Sequence, residues 1–341
     1  MKSRVKHGKI FNSERQSSAV KSSFSIKKLL KTAACLILVA TAAALLSRPE
    51  RYLTACFDGL CLWAECVLPS LFPFMVITML LIGLGAPQAA ARPLKKFTEK
   101  LNLPPAALPL FLMSAASGYP AGSRMLYEYY DGGLIGERDA KKLAPLTSAC
   151  GPLFALGTVG SKAFGGGYAG VKLFSACLLS VVGTSVIYSL LSKKSNPPSV
   201  IAPPKKRDNN VLFSAFSGAV NASLIAGGFI CFFYTLSKII ADFNILMPLS
   251  ALLSKLFGKG VADGLCAGLC EATGGCFAVA SAGGFFALPC AGFLMTFGGA
   301  SILAQQLCYV VKCKVKASFF ILFKFAQGLV CFALLCLFSL F

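Results

Sequence analysis

The chain has 341 residues, 56% hydrophobic and 13% charged, with a mean hydropathy of +0.72 and a formal net charge of +20. A soluble domain of this length could not hide so much apolar surface, so the solvent is membrane. Nor does the charge indicate nucleic acid. Lysines and arginines gather in the N-terminal arm and in short loops between apolar runs, the pattern of the positive-inside rule.

Residues 1–31 carry Lys2, Arg4, Lys6, Lys9, Arg15, Lys21, Lys27, Lys28 and Lys31 against Glu14. They read as a basic cytoplasmic arm, mostly disordered, whose last turn lies on anionic headgroups. Residues 32–51 follow as a first apolar helix and turn. No small-x-small cleavage site ends this helix, so a retained span running inside to outside is expected.

Residues 52–192 form a first membrane repeat. Pro69 and Pro73 divide the long run 52–85, which reads as one bent crossing made of an amphipathic and an apolar piece. The loop 86–103 is basic and cytoplasmic. Next comes Ser117-Gly118-Tyr119-Pro120-Ala121-Gly122-Ser123-Arg124, which stops an apolar run with two glycines and a proline. Such a break frees backbone groups that lipid cannot satisfy, so protein must surround it or it must line a wet cavity. With Arg124, Glu128 and Asp131 beyond the break, residues 104–131 fit a re-entrant hairpin better than a span. Residues 144–160 are interrupted at Cys150-Gly151-Pro152 and run outward; 168–191 return. Lys162, Lys172 and Lys324 are expected to reach toward an interface.

A basic, Pro-Pro-containing stretch at 193–210 reads as an extended cytoplasmic linker. The second repeat, 211–341, opens with a span rich in small residues, then an interfacial segment at 242–257. Glycines at 260, 264 and 268 let helices approach closely, and Glu271-Ala272-Thr273-Gly274-Gly275-Cys276 breaks the run again. This segment reads as a second re-entrant hairpin, entered from outside. Residues 285–311 cross back with an interruption at Gly298-Gly299, and the last span follows the Lys312, Lys314, Lys316 turn.

The halves correspond in order and oppose in orientation. The expectation is an all-α polytopic membrane protein of inverted-topology repeats, with about seven spans and two re-entrant helical hairpins built from broken helices. The N-terminus is cytoplasmic and the C-terminus outside. The fifteen cysteines include no C-x-x-C pair, and the single histidine, His7, is far from them. They read as packing residues, with no metal and no cofactor expected.

A substrate site is expected where the breaks converge, from Gly118, Tyr119, Gly122, Ser123, Arg124, Cys150, Gly151, Glu271, Thr273, Gly274, Thr296, Ser301 and Gln305. Glu271 is a carboxylate at membrane depth. It serves either as a cation, proton or solute site or as a structural salt bridge or helix cap. Arg124 either faces an anionic or carbonyl-bearing ligand or snorkels to headgroups. No nucleotide-binding, hydrolase or zinc-protease motif occurs, so no enzyme is expected.

Ser117–Gly122, the run Cys150-Gly151-Pro152-Leu153-Phe154-Ala155-Leu156-Gly157-Thr158-Val159-Gly160, and Leu68-Pro69-Ser70-Leu71-Phe72-Pro73-Phe74 resemble the bacterial sporulation integral membrane proteins with nucleoside-recognition (Gate-type) regions. The resemblance spans residues 52–341. It implies a multi-pass cell-membrane protein of spore formation: a transporter or permease of a small polar solute, with a coupling ion. The competing reading is a non-transporting scaffold for spore-envelope assembly. Partners are the lipid bilayer, a second copy of the chain or other sporulation membrane proteins.

Overall fold

The longest helix of the computed structural model, Pro49–Gly83, runs straight through both prolines that were expected to divide it. The irregularity lies just before them, in a π-wound turn at Trp63–Val67. A proline removes the N–H that would bond four residues back, and a wider turn accommodates the freed carbonyls. Their partners come from a neighbouring element: Lys162 Nζ donates to the Glu65 carbonyl at 2.7 Å and Thr158 Oγ1 to the Cys66 carbonyl at 2.9 Å.

The structure describes residues 31–86, 89, 96–194 and 210–340. The basic arm up to residue 30, the loop lysine and arginine at 95 and 92, and linker residues 195–209 lie outside them. Two units divide the chain, Met1–Leu53 and Thr54–Phe341. In the first, helix α1 (Lys31–Ser47) turns Leu36, Ile37, Leu38 and Val39 outward, an apolar surface suited to lipid.

The described residues form helices and no strand. After α2 (Pro49–Gly83) come α3 (Ala107–Ser117), α4 (Ala121–Asp131), α5 (Glu137–Leu146), the π-wound α6 (Phe154–Ala163) and α7 (Ala169–Leu191). The later part comprises α8 (Val211–Asp242), α9 (Met247–Phe257), α10 (Lys259–Cys270), α11 (Ala272–Ala282), α12 (Ala287–Phe297), α13 (Gly299–Val310) and α14 (Ala317–Phe338).

Among the described residues, five helices are long and apolar enough to cross a membrane: α2, α7, α8, the α12–α13 stretch Ala287–Cys313, and α14. The seven expected spans shrink for two reasons. Helix α1 is short, and 144–160 is not one helix: α5 ends at Leu146, and the chain unwinds before α6.

Two antiparallel pairs of long helices frame the core. Helix α2 packs on α8 through close approaches of Gly59 to Cys231, Trp63 to Gly227 and Gly83 to Val211. Helix α7 packs on α14 through Lys172 with the Phe338 carbonyl, Cys177 with Cys331, and Tyr188 with Phe319 and Phe323. Between these pairs lie the broken helices, and α12–α13 is far more deeply buried than the other four.

Candidate functional site

Each helix break is followed by a helix that starts inside the protein, and the breaks pack on one another in pairs. Gly118 ends α3 with a φ of 74°, a conformation L side chains rarely adopt. A Cβ there would meet the Gly151 nitrogen at 2.8 Å, so the first hairpin's break rests on the break between α5 and α6. The later half repeats this contact: a Cβ on Gly299 would lie 2.4 Å from the Gly268 carbonyl, at the end of α10. Gly122 sits under the Thr147 carbonyl, which also accepts the Ser114 hydroxyl at 2.5 Å.

Tyr119 links the two halves. Its ring meets Phe154 edge-on at 6.3 Å, and its hydroxyl reaches 3.5 Å from the Met295 carbonyl, in the last turns of α12. Cys150, Cys177, Cys276 and Glu271 lie within electrostatic reach of that hydroxyl. The sequence-predicted residues Gly118, Tyr119, Cys150, Gly151 and Glu271 therefore share one buried neighbourhood.

Glu271 is 1% exposed and caps α11: Oε1 accepts the Thr273 N–H at 3.0 Å and Oε2 the Gly274 N–H at 2.6 Å. A carboxylate at a helix N-terminus satisfies orphan donors and opposes the positive end of the dipole. Thr273 is buried, and Gly274 lies against the Tyr234 ring beside that carboxylate. Of the expected alternatives, the geometry displays the cap.

Three predicted residues bond to partners other than these. Arg124 binds Glu128 at 3.0 Å and the Gly218 carbonyl at 3.2 Å, at the α4–α8 contact. Gln305 and Ser301 bond one another at 3.4 Å along α13. Thr296 does face the centre, giving its hydroxyl to Cys177 Sγ at 3.1 Å. Ser123 is buried, and no hydrogen-bond partner is found for its hydroxyl among the described residues.

The strongest polar feature was misplaced by sequence reasoning. Lys324 does not reach an interface; it is 0% exposed, and its Nζ donates to the Ser148 carbonyl at 2.9 Å. The Ser148 hydroxyl donates to Gln306 Oε1 at 2.7 Å, and Gln327 Nε2 reaches the Pro145 carbonyl and the Thr184 hydroxyl at 3.4 and 3.2 Å. The available signal was a lone cation within an apolar run, which is costly unless it is given a role. Position along the span points the other way: Lys324 is the eighth residue of α14, which at 1.5 Å per residue puts it only ~10 Å from the helix start.

Over 256 residues the chain is 29% identical to a sporulation integral membrane protein, YlbJ, of Bacillus subtilis strain 168, covering 69% of this chain and 61% of that relative. No family model matches. No solved structure matches either. The chain is thus a homologue of a sporulation-associated integral membrane protein, and its apolar helices agree with a place in the membrane.

Proposed function

From that kinship, we propose that the protein is a Gate-type transporter of a small polar solute serving spore formation, built from two inverted repeats. The observation that carries the reading is the reciprocal packing of the breaks. Gly118 rests on Gly151 in one half and Gly299 on Gly268 in the other, with Tyr119 reaching across to Met295. Irregular backbone at membrane depth is tolerated where protein buries it or where it lines a solute path, and paired breaks between repeats are where transporters bind. Solute would meet the helix starts at Ala121 and Gly299, whose N–H groups suit acceptor atoms.

Two experiments test this. A thermal-shift screen of polar metabolites on the purified full-length protein should give a ligand whose stabilisation grows with concentration. Glu271→Gln removes the charge with little change of shape. Under transport it abolishes function in the cell while folded yield stays near normal. The scaffold reading gains from the cap geometry of Glu271, and it requires the same variant to lower folded yield in step with function. Normal yield together with normal function would contradict both.

A further inference from the structure

We infer that Lys324 is a tethered cation: its ammonium occupies, at the carboxyl end of α5, the seat that a small monovalent cation would otherwise take. The argument begins with the unwound backbone. Helix α5 ends at Leu146, and residues 148–151 are irregular before α6 begins. Carbonyls freed at such an end carry the negative pole of the helix dipole, and buried in a membrane they need a cation or a donor. Here α14 supplies both. Lys324 binds the Ser148 carbonyl and Gln327, one turn further on, points its amide at the Pro145 carbonyl.

No carboxylate compensates the ammonium among the described residues. The titratable groups facing it are thiols: Cys150 from the broken segment, Cys177 from α7 and Cys331 from α14 itself. The other close polar groups are neutral, namely Ser148, Gln306 of α13 and Thr296 of α12. In place of an acid, this lysine has carbonyl oxygen and sulfur beside it.

The other half of the molecule supplies a comparison. Ser148 stands three residues before Gly151, and Thr296 three residues before Gly299. Lys324 is the eighth residue of α14 and Cys177 the ninth of α7, so each long helix sets one side chain against the opposite half's broken segment. At Thr296 that side chain is a cysteine, whose sulfur receives the hydroxyl. Of these two seats, the one at Ser148 receives a lysine ammonium. Any mobile coupling ion must then bind away from Ser148.

The inference concerns how the break is held together and stands whether or not the protein transports, so its readout is thermal unfolding of the full-length protein in detergent. In choline chloride, Lys324→Ala and Lys324→Met should both unfold at least about 5 °C below wild type. Replacing choline by ethylammonium at equal ionic strength should return part of the loss to Lys324→Ala, where the stem's volume is open. It should not rescue Lys324→Met, where that volume is filled, and wild type should not move. The inference is overturned if Lys324→Met unfolds at the wild-type temperature. It is equally overturned if ethylammonium raises Lys324→Ala no more than wild type. Should Lys324→Ala not fold, Lys324→Gln decides, since it can donate to Ser148 without charge. A wild-type unfolding temperature there overturns the inference, and a fall matching Lys324→Met upholds it.

Discussion

Asn102 shows how much one side chain outside the apolar runs can hold. It takes a positive φ of 54°, and its amide donates to the Ser189 and Ser192 carbonyls at 2.7 and 2.9 Å, closing the end of α7. Its own carbonyl accepts the Ser189 hydroxyl and the Lys142 ammonium, both at 2.7 Å. Asn102→Ala removes both amide donors and puts a less tolerant residue in the left-handed region. A loss of about 2 kcal/mol is expected, read as a clear fall in unfolding temperature. Asn102→Gly relieves the backbone but not the lost bonds, so it should fall between. Nothing local in the sequence marked Asn102, because its partners lie about 90 positions away. Lys324, expected at an interface, is buried: depth along a helix says nothing of which face looks inward. Glycines were far easier to read, since Gly118, Gly151 and Gly298 act through backbone rules that hold wherever they occur.

At the scale of elements, the hairpin of α10 and α11 was visible as a glycine row followed by an acid, and its packing follows from that row. A Cβ on Gly275 would lie 2.2 Å from the Gly268 Cα, and one on Gly264 would lie 2.8 Å from the Val279 nitrogen. These are backbone contacts that no rotamer change relieves. Gly275→Ala is therefore expected to separate the arms, lowering both folded yield and unfolding temperature, at a cost of about 3 kcal/mol. Gly183→Ala is the matched control. It lies inside α7 with open space where its Cβ would go, so it should be neutral or slightly stabilising. Circular dichroism melts of the two variants in one detergent would separate close packing from generic loss of glycine. What misled at this scale was proline: two of them in five residues suggested a divided helix, whereas a π-wound turn and donors from α6 kept α2 continuous. Those donors are distant in sequence, so the repair was invisible there.

For the whole molecule, the side-chain contacts sort the loops into two ends. At one end Gly83 meets Val211, Asn102 meets Ser189, Lys141 lies over Phe319 and Lys312 over Tyr127. At the other, Lys172 meets Phe338, and Phe257, Phe286 and Phe332 cluster. The order of elements alone had suggested this alternation, and charge supplies its sign. Lys100, Arg138, Lys141, Lys142, Lys193, Lys194, Lys312, Lys314 and Lys316 all belong to the first end, so the positive-inside rule predicts that this end faces the cytoplasm. On the proposed function, the first hairpin, α3 with α4, would open inward and the second, α10 with α11, outward, the opposition that inverted repeats require. Cysteines introduced singly into a background lacking native ones test the arrangement. Tyr168→Cys and Lys255→Cys should react with an impermeant maleimide added to intact cells, whereas Lys141→Cys and Lys312→Cys should react only after permeabilisation. The positions were chosen so that each half contributes one to each end. If Tyr168 and Lys255 label from opposite sides, one half has been threaded in the wrong sense. The reciprocal packing of Gly118 on Gly151 and Gly299 on Gly268 would then need an origin other than inverted repetition.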